Sequence, residues 1–251
     1  MKFAVISDIH GNLNALETTL NDIKEIGAEK IYILGDLAMA GAEPSETIDF
    51  IRELAKENNV SIIQGNTDEM IVNYFRTQDE KYFPPNEIMT EALKYATDLL
   101  ITDQIDFLET LPPQLSENIG LLKILFVHGS PRRNNEDIMP DISQEKLEKV
   151  LKDIEADIIF CGHTHIPAKI EYKEKTIINT GSVGRPFTEI PDASYVVIDY
   201  PDFKNKDFTV IHRALKYDNI KVADTLKKLP FKGADKLAEM LINPTERYPK
   251  N

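Results

Sequence analysis

Acidic, amide and imidazole side chains, which bind divalent cations and transfer protons, follow short apolar runs at five places in the sequence. Seven residues make up this set, and they are Asp8, His10, Asp36, Asn66, His128, His163 and His165. Four of the five histidines of the chain belong to it, and only His212 lies elsewhere. Carboxylates gathered at one place repel one another unless cations neutralise them. The set therefore predicts a metal site.

The ligand types indicate which metals fit and what chemistry they support. Imidazole and carboxylate together suit manganese, iron, cobalt, nickel or zinc, and a single cysteine, Cys161, excludes a thiolate-rich zinc site. Seven ligands exceed the set of one tetrahedral zinc ion, whereas two ions about 3.5–4 Å apart can share a carboxylate. Two such ions hold a phosphoryl oxygen and activate a water near neutral pH. We therefore expect in-line attack of water on phosphorus.

The apolar runs, and the segments between them, predict how the chain positions these residues. In the first third, strands are predicted at residues 3–6, 31–34 and 60–63, with an amphipathic helix after each of the first two. Strands that alternate with helices form a mostly parallel sheet covered by helices. Ligand sites of such sheets lie at the carboxyl ends of the strands, which is where the first three groups of candidate ligands fall.

The later part of the chain reads mostly as β-structure. A helix is predicted near residues 143–153, and the strands are 123–127, 157–160, 166–172, 176–178, 194–200 and 208–213. The third and fourth of these strands form a hairpin. The first two end directly before the remaining candidate ligands. The expected fold class is α/β, with layered sheets and helices outside.

We expect one domain over residues 1–251, with two helical additions. Residues from about 70 to 115 read as a helical insertion, either a crossover packed on the domain, which we favour, or a lid over the site. The tail from about residue 219 also reads as helical. It either packs on its own core or pairs subunits, so the oligomeric state is left open.

Composition restricts the partners and the compartment. The formal net charge of −13 repels phosphate backbones, so we expect no general binding of nucleic acid. A small phosphorylated substrate remains compatible, because bound cations reverse the field locally. No apolar run approaches the roughly 20 residues of a membrane helix, and one cysteine fits a reducing compartment. We expect a cytoplasmic protein that does not bind membranes.

The motifs together resemble the calcineurin-like metallophosphoesterase superfamily. They are Asp8-x-His10, Gly35-Asp36, Gly65-Asn66-x-Asp68, His128 and Gly162-His163-x-His165. Residues 179–184, Asn-Thr-Gly-Ser-Val-Gly, extend the likeness to the small bacterial and archaeal phosphodiesterases of that superfamily. The resemblance implies a four-layer α/β/β/α sandwich of mixed sheets and a metal-dependent phosphoesterase activity.

The same resemblance implies a role for each ligand. Asp8, His10 and His165 bind one metal ion, Asn66, His128 and His163 bind the other, and Asp36 bridges the two. It assigns the catalytic roles to Asp36, Asn66 and His128.

Thr67 marks a departure from one branch of the family. The protein-phosphatase branch has a histidine directly after the motif asparagine, where it acts as an acid or phosphate ligand. Thr67 cannot deliver a proton near neutral pH. The resemblance is thus closer to the phosphodiesterase branch, and we expect better turnover of phosphodiesters or of substrates with acidic leaving groups.

Four further residues are candidates for contacts around the metal ligands. Arg132, Arg133 and Arg185 follow strand-end loops and can hold phosphate oxygens through bidentate contacts. The alternative for at least one of the adjacent pair is a solvated surface position. Asp68 either orients His128 or His10, as metal-bound histidines usually require, or caps a helix.

Two alternatives to a phosphodiesterase stay open from the sequence. The first is a phosphoprotein phosphatase or dinucleoside polyphosphate hydrolase, which Thr67 disfavours. The second is a non-catalytic scaffold, the role of the retromer subunit that shares this fold. A scaffold is free to lose ligands, whereas all seven positions here hold residues able to bind metal.

Overall fold

Two β-sheets packed face to face form the centre of the computed structural model, which describes residues 1–245. The ten strands are β1 (Lys2–Ile6), β2 (Lys30–Ile33), β3 (Val60–Ile62), β4 (Gln114–Ile119), β5 (Leu122–Val127), β6 (Ile158–Cys161), β7 (Ala168–Tyr172), β8 (Lys175–Asn179), β9 (Ala193–Asp199) and β10 (Thr209–Leu215). The eight α-helices are α1 (Leu13–Glu25), α2 (Pro44–Leu54), α3 (Asn66–Thr77), α4 (Glu87–Leu99), α5 (Thr102–Thr110), α6 (Gln144–Val150), α7 (Asn219–Leu226) and α8 (Ala234–Ile242). The end of the predicted domain, residues 246–251, lies outside the described residues.

The first sheet has the strand order β10-β9-β1-β2-β3. The pairs β1–β2 and β2–β3 are parallel, as the alternation of strands and helices predicts, whereas β9 runs antiparallel to β1 and to β10. The carboxyl ends of the first three strands therefore meet at one edge of the sheet.

The second sheet has the order β4-β5-β6-β8-β7. Its three central strands are parallel, and the edge strands β4 and β7 are antiparallel to their neighbours. The predicted hairpin of β7 and β8 is confirmed. Strand β4 was not predicted, because only isolated apolar residues interrupt its polar sequence QLSENI and most of it is exposed or half-buried.

Period-two alternation divides the continuous apolar strands between two cores. In β5, Phe126 packs between the sheets while Val127 packs under α6. Aromatic rings fill the space between the sheets, with Tyr32 stacked on Phe126 at 4.0 Å between ring centroids and Phe126 on Phe160 at 5.3 Å. The other seven helices cover the outer face of the first sheet. The predicted four-layer α/β/β/α sandwich is therefore confirmed.

The helices of the two expected additions contribute to the same outer core. The segment from about 70 to 115 contains α4 and α5, and their buried residues, among them Leu93 and Leu108, pack in one cluster with α1 and α2. Helices α7 and α8 join this cluster through Leu226 and Leu237, so the described part of the tail packs on the chain's own core. Within residues 1–245, no helix is long and apolar enough to cross a membrane.

Candidate metal centre

The seven predicted ligands meet at one edge of the sandwich, where the parallel strands of both sheets end. Two groups of side chains, one comprising Asp8, His10 and His165 and the other Asp36, His128 and His163, each hold their ligand atoms within 4.8 Å of one another. The seventh residue, Asn66, begins α3, and its Oδ1 lies 3.0 Å from Nε2 of His128. The structure thus brings all seven residues together.

The backbone at these positions is unusual. Five of the seven residues have a left-handed backbone, with φ of 57° at Asp8, 50° at His10, 56° at Asp36, 62° at His163 and 61° at His165. Such conformations cost about 1–3 kcal/mol each and cluster at functional sites. Asp and His tolerate this region better than most residues. The motif residue types therefore fit the strained turns that follow the strands.

Two glycines allow the chain to approach the carboxylates closely. A Cβ on Gly65 would lie 2.2 Å from Oδ1 of Asp36, and a Cβ on Gly162 would lie 2.5 Å from Oδ2 of Asp8. Both distances are far below van der Waals contact. A larger residue fits at either position only if the chain around Asp36 or Asp8 moves.

Backbone carbonyl groups orient three of the four histidines. Each of these rings places Nδ1 against a carbonyl oxygen, which fixes the Nδ1–H tautomer and leaves the Nε2 lone pair for a cation. The three bonds join His10 to Met39 (2.8 Å), His128 to Leu34 (2.7 Å) and His165 to Arg185. None of these carbonyl partners was predicted, because a backbone acceptor leaves no mark on the sequence.

The inward-facing atoms are acceptors that face acceptors. Nε2 of His10 lies 3.2 Å from Nε2 of His165, and Oδ1 of Asp8 lies 3.1 Å from the same His165 nitrogen. Oδ1 of Asp8 is buried and receives no hydrogen bond from the described residues. Unpaired lone pairs at these distances are unfavourable unless positive charge lies between them. These ligand atoms therefore form a site that fits a cation.

Asp36 belongs to the second group and also faces the first. Its Oδ2 lies 3.8 Å from Nε2 of His10, and its Oδ1 lies 3.3 Å from Nε2 of His128. Each carboxylate oxygen thus faces a different group.

Burial and neighbouring charged groups shift the pKa values of the residues in the site. Burial acts to raise the pKa of Asp8 and Asp36, but neighbouring imidazoles outweigh it and lower both values. Burial acts to lower the pKa of His128, but the Asp36 carboxylate raises it to about 9. Burial, assisted by His165, lowers the pKa of His10 to about 4. The Asp36 carboxylate therefore favours positive charge at His128, whereas burial disfavours it at His10.

Asp68 orders the backbone beside Asp36. Its carboxylate accepts hydrogen bonds from the backbone amides of Asp36 (2.8 Å), Leu37 (2.9 Å) and Gly65 (2.9 Å). The last of these bonds belongs to the cap of α3, so Asp68 makes the contact expected of a helix cap. Burial and the nearby Asp36 carboxylate raise the pKa of Asp68 to about 6.

A cavity of about 350 Å³ opens beside the ligands. Besides His and Asp ligands, its wall contains Thr67, Asn86, Met89, Arg185 and Phe187. Phe187 stacks on His165 at 4.8 Å between ring centroids, and the Arg185 guanidinium lies 5.2 Å from the Phe187 ring. The backbone amide of Thr67 donates to Oδ1 of Asp36 at 2.8 Å.

Arg132 and Arg133 occupy a different place from Arg185. They line a separate surface cavity of about 410 Å³, together with Gln64 and Ser130. The Arg132 guanidinium forms an ion pair with Glu136. Of the three arginines that were candidates for substrate contact, the structure places only Arg185 in the wall of the cavity beside the metal ligands.

Three lining residues, Asn86, Met89 and Phe187, were not predicted. Asn86 caps α4, its Oδ1 accepting from the Ile88 amide at 2.9 Å, and a cap is the only signal that its sequence position carries. No regular spacing in the sequence relates these residues to the strand ends that carry the ligands. They reach the cavity through tertiary packing.

Comparison with known proteins agrees with this geometry. Residues 1–202 match the calcineurin-like phosphoesterase superfamily domain. The chain therefore belongs to the calcineurin-like phosphoesterase superfamily, a family of metal-dependent phosphoesterases, and the resemblance of its motifs is confirmed.

Several relatives resemble the chain over most of its length. It is 36% identical to the uncharacterized protein MJ0912 of Methanocaldococcus jannaschii over 218 residues, which cover 80% of this chain and 84% of that protein. It is 25% identical to phosphodiesterase YfcE of Escherichia coli over 207 residues, which cover 79% of this chain and 88% of YfcE. The solved structure of hypothetical protein PH1004 from Pyrococcus horikoshii superposes with a TM-score of 0.83 at 27% identity, covering 98% of this chain and 99% of that one.

Proposed function

We propose that this protein hydrolyses small phosphodiesters at a site that holds two divalent cations. The observation that carries the proposal is the position of Asp36, whose two oxygens face two separate groups of buried acceptors. One cation would leave one of these groups without positive charge. Two cations satisfy both groups with a single shared carboxylate.

The residues divide between the two cations as the family resemblance implies. Asp8, His10 and His165 would hold one ion, Asn66, His128 and His163 would hold the other, and Asp36 would contact both. When bound, the ions supply positive charge beside the phosphoryl oxygens and a water acidic enough to attack near neutral pH. Manganese, iron, cobalt, nickel and zinc all suit this mixture of imidazole and carboxylate, and manganese is the first to test.

The protein itself contributes binding and orientation. Arg185 lines the cavity, where its guanidinium can hold a phosphoryl oxygen, and Phe187 keeps that guanidinium over its ring. The backbone of Thr67 fixes Asp36 through the 2.8 Å bond to Oδ1. Carbonyl groups hold the histidine rings in place, so the ligands are oriented before substrate arrives.

One feature restricts the leaving group, and a second favours a diester over a monoester. The Thr67 hydroxyl cannot protonate a leaving group near neutral pH, so the substrate must release a weakly basic alcohol or phenol. A phosphomonoester also carries a charge of about −1.5 to −2 at pH 7, whereas a diester carries only one negative charge. The cavity wall offers one arginine, Arg185, and also contains the Asp36 carboxylate, which suits the smaller charge.

The comparisons and composition support the rest of the proposal. One relative bears the name phosphodiesterase, at 25% identity. The net charge of −13 favours a small phosphorylated substrate over nucleic acid. The only cysteine, Cys161, is buried and unpaired, which fits the reducing cytoplasm that we propose as its compartment.

A matched pair of substrates tests the proposal. Metal-depleted protein, reconstituted in turn with manganese, nickel, cobalt, zinc and magnesium, is assayed on bis(p-nitrophenyl) phosphate and on p-nitrophenyl phosphate. The expected result is metal-dependent hydrolysis with a higher kcat/KM for the diester. A strong preference for the monoester contradicts the diester assignment and supports a phosphatase. Absence of hydrolysis with every metal supports a scaffold.

A further inference from the structure

Asp137 brings a carboxylate to the metal centre that lies outside the family motifs. It belongs to the loop between β5 and α6, and its Oδ1 lies 3.3 Å from Nε2 of His163. The Asp137 side chain is 24% exposed and that of His163 is 11% exposed. The contact is therefore largely shielded from water, and water competes with it less than at the surface.

His163 differs from the other three histidines in which carboxylate its Nε2 faces. In those three rings Nε2 faces Asp8 or Asp36, which belong to the ligand set, whereas Nε2 of His163 faces Asp137, which lies outside that set. A ring nitrogen that donates its hydrogen to a carboxylate cannot also offer a lone pair to a cation. With Nε2 directed at Asp137, a cation would bind His163 through Nδ1. A carboxylate partner also makes the ring a stronger ligand than a carbonyl partner does.

The two groups of ligands differ in negative charge, and Asp137 reduces that difference. One group has its own carboxylate, Asp8, in addition to the shared Asp36. The other group contains Asn66 and two imidazoles, all neutral as ligands, and has only the shared Asp36. Asp137 is the additional negative charge on that side, and its Oδ1 lies 3.3 Å from Nε2 of His163.

We infer that Asp137 is a positioning residue for the cation held by Asn66, His128 and His163. It fixes the ring of His163 and strengthens that ring as a ligand. This inference rests on the proposed binding of two cations. It predicts that Asp137 governs the affinity of one ion and leaves the other ion unaffected.

Three variants test the inference. Asp137→Asn keeps the size of the side chain and removes its charge, and Asp137→Ala removes the contact. Asp141→Asn is the matched control, because Asp141 is an exposed acidic residue of the same loop. Manganese binding to the metal-depleted full chain is measured by calorimetry. Electron paramagnetic resonance then distinguishes spin-coupled pairs of manganese ions from isolated ions, and thermal unfolding without metal checks that each variant folds.

The wild-type chain and Asp141→Asn are expected to bind two ions and to give the spectrum of a coupled pair. In Asp137→Asn and Asp137→Ala, the affinity for one ion falls by about 10–100-fold, the range of partners of metal ligands. Manganese at one equivalent then gives the spectrum of isolated ions. Two unchanged affinities, or an equal loss at both ions, overturn the role of Asp137. A wild-type chain that binds fewer than two ions instead overturns the proposed two-cation site.

Discussion

The ring of His128 donates a hydrogen bond from Nδ1 to the carbonyl oxygen of Leu34, at 2.7 Å. His128 follows β5 of the second sheet, whereas Leu34 follows β2 of the first. The bond therefore joins the two sheets at the metal centre. Other ligands repeat this division, since Asp8 follows a strand of the first sheet and His165 a strand of the second. A cation held by both sheets stabilises their packing.

Metal binding is therefore expected to stabilise the folded chain. A cation at 100 times its dissociation constant adds about 2.7 kcal/mol to the free energy of unfolding, if it binds only the folded state. The measurement is the thermal midpoint of metal-depleted protein with and without manganese. His128→Ala is the comparison variant, and its midpoint should respond less to manganese. Equal midpoints of the wild-type chain with and without manganese would argue against a cation that links the sheets.

The close approach of Gly65 to Asp36 gives a second prediction. Gly65→Ala places a Cβ 2.2 Å from Oδ1 and 2.3 Å from the backbone nitrogen of Asp36, although the φ of −90° at Gly65 suits alanine. The collision must displace the shared carboxylate. We expect manganese affinity to fall by about tenfold or more, by analogy with the loss of partners of metal ligands.

Gly27→Ala is the matched control for that substitution. Gly27 has a φ of +69°, and no atom lies within 4 Å of an added Cβ. This variant should lose about 1–2 kcal/mol of stability because of its left-handed backbone, and its manganese affinity should stay at the wild-type value. Unchanged affinity in Gly65→Ala as well would show that Asp36 is not held where the structure places it.

Because Arg185 and Arg132 line different cavities, we expect their substitutions to affect substrate binding differently. Arg185→Gln removes a guanidinium from the cavity wall, and a hydrogen bond to a charged group contributes about 1.5–3 kcal/mol. KM for bis(p-nitrophenyl) phosphate should therefore rise by roughly 10–100-fold. Arg132→Gln removes a side chain that is 47% exposed and paired with Glu136, so its KM should stay within about twofold of the wild-type value. Steady-state kinetics of both variants give the two KM values. Equal changes in KM would show that Arg185 does not contact the substrate.

A partly buried ion pair outside the candidate metal centre predicts how the free energy of unfolding depends on pH. Asp22 of α1 accepts two bonds from Arg213 (2.6 and 2.7 Å) and one from Tyr195. Burial acts to raise the pKa of Asp22, but these bonds outweigh it and lower the value. The stabilisation is therefore complete above the pKa in the unfolded chain, about 3.9. It is lost as the pH falls through the lower pKa of the folded chain.

Asp22→Asn measures this contribution directly. At pH 7 the variant should be less stable than the wild-type chain by about 1.5–3 kcal/mol, the range of hydrogen bonds to charged groups. The difference should stay constant down to about pH 5 and shrink in more acidic solution, where the wild-type carboxylate is itself protonated. Urea unfolding at a series of pH values gives the comparison. A difference that grows towards acid pH would contradict the lowered pKa.

The positions of the ligands could be predicted because their cause is local. Each ligand follows an apolar run such as residues 3–6 or 157–160, and parallel strands bring the ends of such runs to one edge. The layered arrangement of sheets and helices could be predicted for the same reason. A continuous apolar run such as β6 is buried on both faces, with Phe160 between the sheets and Ile159 under α6.

The features that escaped prediction depend on tertiary contacts or on the backbone. The bond from His10 to the Met39 carbonyl involves a group that every residue has, so nothing in the sequence marks it. Phe187 and Asn86 come from segments without a periodic pattern, and they reach the cavity only when the chain is folded. Asp137 stands in a loop with two other acidic residues, Glu136 and Asp141, and only its distance to His163 distinguishes it.

The most direct test of the two-cation phosphodiesterase is the rate of bis(p-nitrophenyl) phosphate hydrolysis by manganese-reconstituted Asp36→Asn. Asp36 faces both groups of ligands, so its loss should lower the rate by at least about 100-fold, the upper end of the effect of a metal ligand's partner. Asp141→Asn, an exposed substitution, should keep the wild-type rate. A wild-type rate in Asp36→Asn, with unchanged manganese content, would contradict the shared carboxylate and the mechanism built on it.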